Sequence, residues 1–321
     1  MLDVLQVTFP FFALVFAGYV AARRQMLPLE AIPGLNGFVL YFALPCMLFR
    51  FGAGMPVAQL LDAGVFFTYL LCALVMVAFA LTISLSRRTG WNDAAFGALV
   101  AAFPNTGFMG VPLLVALLGA AAAGPAIVTI LVDMVITTSL CIALSRLDSA
   151  GEQGAAQAAR KALAGVVRNP LPWAILCGAV FSWQQLEWWS PVAKTVSLLG
   201  DSASPVALFT IGAVLARSQM QAHARPHGPL LWRDVLPMAL TKLLLHPLLV
   251  GGVGLAAVSL GVPIDAFALK VMVLVAALPS ASNVAMLAER FGADNGRVAM
   301  IILLSTSAAF LTFSGAVALL N

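Results

Sequence analysis

Apolar residues in this chain come in long unbroken runs, with no strand-like alternation and no one-faced helical stripe. Windows of Leu, Ala, Val, Phe and Met recur between short polar spacers. Each is near the ~20 residues that carry a helix across ~30 Å of hydrocarbon. The pattern predicts an all-α polytopic membrane protein. Ten transmembrane helices fit it, roughly at 4–21, 34–51, 64–85, 94–119, 125–145, 170–186, 193–216, 235–258, 265–289 and 297–319. The run at 193–216 is interrupted by Gly200, Asp201, Ser202 and Ser204. The first run has no basic flank before it, and Arg23 and Arg24 after it, so it reads as a retained span and not as a cleaved signal.

Composition sharpens the class. Of 321 residues, 62% are hydrophobic and 9% charged, against about a quarter charged in a soluble domain. The net charge of +4 raises the question of an anionic macromolecular partner. The basic residues, however, sit in the spacers, which argues for membrane lipids as the surroundings and against nucleic acid. Arg23 and Arg24 follow the first span, and Arg87 and Arg88 the third. Arg146, Arg160, Lys161 and Arg168 follow the fifth, Arg217, Arg225 and Arg233 the seventh, and Arg290 and Arg297 the ninth. The other connections carry Arg50, Lys194 and Lys270. The positive-inside rule then puts the odd-numbered connections in the cytoplasm and both termini outside, which for the expected location, a bacterial inner membrane, makes both termini periplasmic.

The longest connection, residues 147–169, reads as a cytoplasmic linker between residues 1–146 (spans 1–5) and residues 170–321 (spans 6–10). An odd number of spans per half inserts the second half upside down. The expected architecture is therefore a five-plus-five inverted repeat, an arrangement used by secondary transporters. Cys46, Cys72, Cys141 and Cys177 all lie inside apolar runs without a paired motif, and read as small buried hydrophobes.

Four spans carry a proline deep inside: Pro45, Pro104, Pro205 and Pro279. They fall in matching spans of the two halves. Each is about 10–12 residues from the cytoplasmic end, or roughly 15–18 Å of helical rise, near the midplane. A proline removes a donor and frees a carbonyl, which in lipid calls for a new partner. The fourth span supplies Pro104, Asn105, Thr106 and Gly107, and the ninth supplies Pro279, Ser280, Ser282 and Asn283. If the two broken helices cross, their half-helix N-termini offer N–H groups and positive dipole ends to a carboxylate. The alternative is a simple kink at each proline. Pro45 and Pro205 fit that structural role, while Asp201 and Ser204 leave the seventh span open between the two readings.

Asp133 and Lys242 stand out among the charges within apolar runs. Asp133 has no cationic neighbour in sequence. It either couples transport to a proton or sodium ion, hydrogen-bonds a broken helix, or pairs with another charge. Lys242 either snorkels to the cytoplasmic face, attracts an anion, or neutralises Asp133. His246, one helical turn on, is a packing residue or a proton relay. Ser305 and its neighbours Thr306 and Ser307 offer interhelical hydrogen bonds or a polar lining. His223 and His227 have no companions for a metal, and Trp183, Trp188 and Trp189 fit an aromatic belt. No nucleophile–base pair, nucleotide loop or metal motif accompanies the spans, and neither a charged pore nor a carbonyl filter stands out. A carrier without cofactor explains the halves and the paired breaks together.

With these motifs in place, Pro104-Asn105-Thr106-Gly107 and Pro279-Ser280-Ala281-Ser282-Asn283 in particular, the chain resembles bacterial members of the auxin efflux carrier family, including malonate transporters. The resemblance covers nearly the whole chain. It implies a fold like that of sodium/proton antiporters and bile-acid symporters, with discontinuous helices 4 and 9 crossing. It also implies a homodimer, a scaffold of spans 1–2 and 6–7, and a transport domain of spans 3–5 and 8–10 that moves like an elevator. The expected substrate is a small organic anion, a mono- or dicarboxylate, possessing malonate-like chemistry in one version. The domain assignment puts Asp133 and Lys242 beside the crossing. The plant members' long central loop has no counterpart in the short linker here.

Overall fold

The computed structural model describes residues 2–56, 62–85, 89–147, 160, 164, 167, 170–223 and 231–320. Most of the linker expected at 147–169, and with it Arg87, Arg88, Lys161, Arg168, Arg225 and His227 of the charge pattern, lies outside the described residues. The described chain is helical. In order, its helices are α1 Leu2–Arg23, α2 Leu29–Ala53, α3 Ala63–Ser84, α4 Trp91–Ala102, α5 Thr106–Leu118 and α6 Ala120–Leu144. They continue as α7 Pro170–Gln184, α8 Ser190–His223, α9 Asp234–Ser259, α10 Ala266–Ala276, α11 Asn283–Phe291 and α12 Asn295–Leu320.

Local chemistry sets the helix ends. Asp62 caps α3 by accepting the Val65 N–H at 2.9 Å, and Asp265 caps α10 by accepting the Ala268 N–H at 2.6 Å. Gly119 at φ 88° reverses the chain between α5 and α6, and Gly292 at φ 70° does so between α11 and α12. Four helices contain a wide π turn. Those at Val39–Ala43, Thr106–Gly110 and Thr241–Leu245 precede Pro45, Pro112 and Pro247, whose rings clash with a regular preceding turn. The fourth, Val132–Thr137, has no proline. Here Thr138 Oγ1 donates to the Asp133 carbonyl at 2.8 Å and Thr137 Oγ1 to the Val132 carbonyl at 3.4 Å. Threonine hydroxyls thus take over carbonyls that a regular ladder would use.

The ten-span inverted repeat is corrected by these helices. Among the described residues, six helices are long and apolar enough to cross a membrane: α2, α3, α6, α8, α9 and α12. The expected spans at 94–119 and 265–289 are each divided by an extended break, into α4 and α5 and into α10 and α11. Eleven residues of α10 rise about 16 Å, half of the hydrocarbon thickness. The expected span at 170–186 is the 15-residue α7, and of α1 the segment Phe9–Arg23 is apolar but short. Hydropathy averages over a window and does not register a backbone break inside it. The architecture is a polytopic all-α membrane protein with six membrane-length apolar helices among the described residues, not ten spans in two inverted five-helix halves with crossing discontinuous helices. The expected span at 193–216 is present, but without its interruption: α8 passes Gly200, Asp201, Ser204 and Pro205 as one 34-residue helix.

Packing divides the helices into two groups, with α1, α2, α7 and α8 in one and α3, α4, α6, α9 and α10 in the other. α5 and α12 lie along the seam and touch both. Glycines mark where backbones approach within a group. A Cβ on Gly18 of α1 would stand 1.8 Å from the Phe209 carbonyl oxygen of α8, and one on Gly212 of α8 1.8 Å from that of Val15 in α1. Gly52 and Gly178 join α2 to α7 in the same manner, Gly200 joins α8 to α2, and Gly64 abuts the Pro263 carbonyl before α10. Across the seam, Gly107 of α5 meets only a Leu44 methyl, at an ordinary 3.7 Å. Small residues let membrane helices gain dispersion energy by close approach.

Candidate functional site

The two breaks meet. Pro104 and Ser280 form an antiparallel bridge, in which the Asn105 N–H donates to the Pro279 carbonyl at 2.8 Å and the Ala281 N–H to the Phe103 carbonyl at 2.9 Å. The proline at each break removes a donor, and the opposite strand restores the accounting that hydrocarbon demands. α12 braces the pair: the Ser280 N–H donates to Ser305 Oγ at 3.2 Å, and Ser305 Oγ donates to the Ile302 carbonyl at 3.1 Å. Two helices, α5 and α11, begin at the breaks, and two, α4 and α10, end there. The first N–H groups of the former lack acceptors within their own helices.

A cleft with about 380 Å³ of empty space, its open mouth included, lies against this bridge. One wall is formed by Pro104, Asn105, Gly107 and Asn283, with Ile130 and Met134 of α6. The facing wall is Leu40, Leu44 and Leu48 of α2 with Leu171 of α7. The cleft therefore sits on the seam, aliphatic on one side and on the other carrying Asn105 and Asn283 among apolar neighbours. The side-chain oxygens of Asn105, Ser280, Asn283 and Thr306 are buried with no hydrogen-bond partner, whereas buried polar atoms in native proteins are normally paired.

Beside the cleft lies a second polar cluster with no exposure to solvent. Asp133 accepts from Tyr69 Oη at 2.9 Å and from Thr137 Oγ1 at 3.1 Å. Lys242 Nζ donates to the Ala276 carbonyl at 2.7 Å and contacts His246 Nδ1 at 3.1 Å. Ala276 is the last residue of α10, so the ammonium caps the negative end of the helix that leads into the second break. The Tyr69 and His246 rings, with centroids 6.1 Å apart, connect the two halves of the cluster. With the ammonium donating to Nδ1, the His246 proton belongs on Nε2, which has no partner.

The family described as membrane transport protein matches residues 3–317 of this chain. The chain belongs to it. A Rhizobium meliloti (strain 1021) protein named "Putative malonate transporter" is 28% identical over 316 residues, covering 98% of this chain and 95% of the relative. The Escherichia coli (strain K12) protein "Uncharacterized transporter YfdV" is 26% identical over 287 residues, covering 88% and 86%. The resemblance to auxin efflux carriers and their bacterial relatives thus holds over the whole chain, and membership in a membrane transport family places the chain among multi-pass transporters and not among enzymes.

In this membrane transport protein, Pro104, Asn105, Thr106, Gly107, Pro279, Ser280, Ser282, Asn283 and Ser305 fall in or against the paired breaks. Asp133 and Lys242 are both fully buried. Lys242 therefore does not snorkel, and each of the two has other direct partners in place of an ion pair. Pro45 lies on α2 between the cleft-lining Leu44 and Leu48 but does not itself line the cleft. Ser204 and Pro205 lie within α8 and are not among the residues lining the cleft, and Asp201 makes a 2.7 Å ion pair with Arg50 at the exposed surface of the α2–α8 pair. Sequence reasoning missed Tyr69, Thr137 and the leucine wall. Tyr69 carried a usable signal, since a tyrosine deep in an apolar run needs a partner for its hydroxyl. The leucines carried none, because nothing separates a cleft-lining Leu from a lipid-facing one in sequence.

Proposed function

We propose that this chain is a secondary carrier that moves a small organic anion, a mono- or dicarboxylate, across the membrane, binding it at the paired breaks. The observation that carries this reading is the bridge itself. It fixes two helix N-termini and the amides of Asn105 and Asn283 against the narrow cleft on the seam, and oriented N–H groups favour negative charge without a cationic side chain. The leucine wall opposite receives the carbon skeleton. The name of the Rhizobium relative makes malonate the first acid to test.

Alternating access, in this reading, is a sliding of the second packing group with its breaks past α1, α2, α7 and α8, as in an elevator. In support, backbone-to-backbone glycine contacts lie within the groups, whereas Gly107 on the seam meets a leucine methyl at an ordinary contact distance. Such a seam can shift without breaking a backbone interlock. The Asp133–Lys242 cluster travels with the breaks, because α3, α6, α9 and α10 pack together.

The test is a thermal-stability screen of the purified protein against a panel of mono- and dicarboxylates, followed by radiolabelled uptake into proteoliposomes of each acid that raises the melting midpoint. Saturable, gradient-driven accumulation is the expected outcome. Ohmic flux, or turnover of the acid without accumulation, would rule the carrier reading out.

A further inference from the structure

Both oxygens of the Asp133 carboxylate are held by hydroxyls, Tyr69 from α3 at 2.9 Å and Thr137 from its own helix at 3.1 Å. A hydroxyl donates or accepts as required. Both partners can therefore remain in place whether Asp133 is a carboxylate or a carboxylic acid, with the Tyr69 O–H turning from donor to acceptor. An arginine or a metal ion would fit the first state alone. The other titratable groups facing this point are Cys72 on α3, Cys141 on α6, and Lys242 and His246 on α9. On α10, Lys270 precedes the Lys242-bound Ala276 by about 9 Å of helical rise, and Asp265 is the cap beyond it. Asp93 of α4 and Arg297 of α12 are engaged at their helix starts, the first with the Asp294 N–H and the second with Ser84 and the Asp93 carbonyl. The buried cluster thus holds one carboxyl group and one ammonium. Among the described residues, no set of three or more His, Cys, Asp and Glu side chains is arranged to hold a metal ion.

We propose that Asp133 binds one proton with each carboxylate substrate, so that a carrier loaded with a monoanion moves without net charge. This rests on the carrier reading given above. The Asp133 carboxylate and the Lys242 ammonium cancel, so an entering monoanion leaves the moving group one negative charge in excess. An uncompensated charge in hydrocarbon is expensive. One proton from the water on the loading side converts the carboxylate to the acid and removes the excess, and it returns to water on the other side when the substrate leaves. Lys242 stays an ammonium throughout, donating to Ala276 and His246. Sodium does not suit the site, because the carboxylate oxygens already have hydroxyl partners and the neighbouring ammonium repels a second cation. Coupling to the cleft is short-range: Ile130 and Met134, three residues before and one after Asp133, line it.

The first test needs no substrate. In pH-difference infrared spectra of the lipid-reconstituted protein, acidification should raise a carboxylic-acid C=O band that is lost in Asp133→Asn. In Tyr69→Phe, where the acid has one partner fewer, the band should persist at higher frequency. Exchanging potassium for sodium should leave it in place. Failure to find a band that depends on Asp133, or its displacement by sodium, overturns the proposal. The second test uses vesicles loaded with a pH-sensitive dye and given radiolabelled malonate, succinate or pyruvate. One proton should enter per molecule, above the level in protein-free vesicles, with pyruvate uptake indifferent to membrane potential. Uptake without acidification overturns the proton's role and leaves the carrier reading standing, whereas absence of uptake for every acid overturns the carrier reading and the coupling with it.

Discussion

Replacing Lys242 by methionine removes a buried charge but keeps the length of the chain, and the structure fixes what this should cost. Two acceptors lose their donor, the Ala276 carbonyl at 2.7 Å and His246 Nδ1 at 3.1 Å. A buried acceptor left bare costs about 1–3 kcal/mol, so the loss is about 2–6 kcal/mol. Opposing it is the relief of a desolvated ammonium with 0% exposure, several kcal/mol for an ion taken out of water. The two effects are of equal order, and Asp133, deprived of its counter-charge, takes up a proton so that no bare buried charge is added. Lys242→Met should therefore fold, with a stability within about 3 kcal/mol of the native protein and a melting midpoint within about 10 °C of it. Transport should behave quite differently. With no cation beside Asp133 and no cap on α10, uptake of any carboxylate that the native protein accumulates should fall to the level of empty vesicles. Thermal melting in detergent and uptake in proteoliposomes read the two quantities separately. A variant that melts far below the native protein, yet transports normally per folded molecule, would show that Lys242 is a structural strut and would refute the reasoning.

Further predictions follow from the same geometry. Asn105→Ala and Asn283→Ala should each weaken carboxylate binding by about 1–2 kcal/mol, or roughly 5–30-fold in Kd, with insertion unchanged; titration of the melting midpoint against ligand measures this, and native affinity in both variants contradicts it. Gly212→Ala places a Cβ 1.8 Å from the Val15 carbonyl oxygen and should destabilise by at least about 1–3 kcal/mol. Gly315→Ala in α12, where a Cβ meets nothing within 4 Å, should be neutral or stabilise by up to about 1 kcal/mol; equal melting points for the two would be the adverse result. Joining Leu44→Cys to Gly107→Cys with a short thiol cross-linker should arrest uptake across the seam until the link is cleaved. Full activity at complete cross-linking would exclude sliding there.

The class of protein was legible because hydrocarbon demands long apolar segments, and composition reports them directly. The breaks were legible for a related reason: Pro104-Asn105 and Pro279 through Asn283 are residues that hydrocarbon tolerates only where their backbone groups find other partners. What sequence could not give was the number of helices that these breaks leave at full length. A window that averages Trp91 through Leu118 scores one span, whereas the chain leaves helical geometry at Phe103 and resumes it at Thr106. The α8 helix shows the reverse error, since its polar residues face neighbours or the surface and Pro205 is absorbed without a break. Pairing was equally hidden. Asp133 and Lys242 invited a salt bridge, and the partners each one took, Tyr69 and Thr137, His246 and the Ala276 carbonyl, depend on how four helices are placed and rotated about their axes.

The Pro104–Ser280 bridge also sets a problem of timing. Its two strands are separated by about 175 residues of chain. At 5–20 residues per second, a ribosome that has delivered the first needs roughly 9–35 seconds more to deliver the second. During that interval the Phe103 carbonyl and the Asn105 N–H, already at membrane depth, have no strand to pair with. The early chain must shelter them in the insertion machinery, or against water or lipid headgroups, and set them in place only after most of the protein has been made. Assembly of this membrane transport protein is therefore bound to finish at its centre, and substitutions at the second break should make the first half a target for membrane quality control before any effect on solute movement is felt.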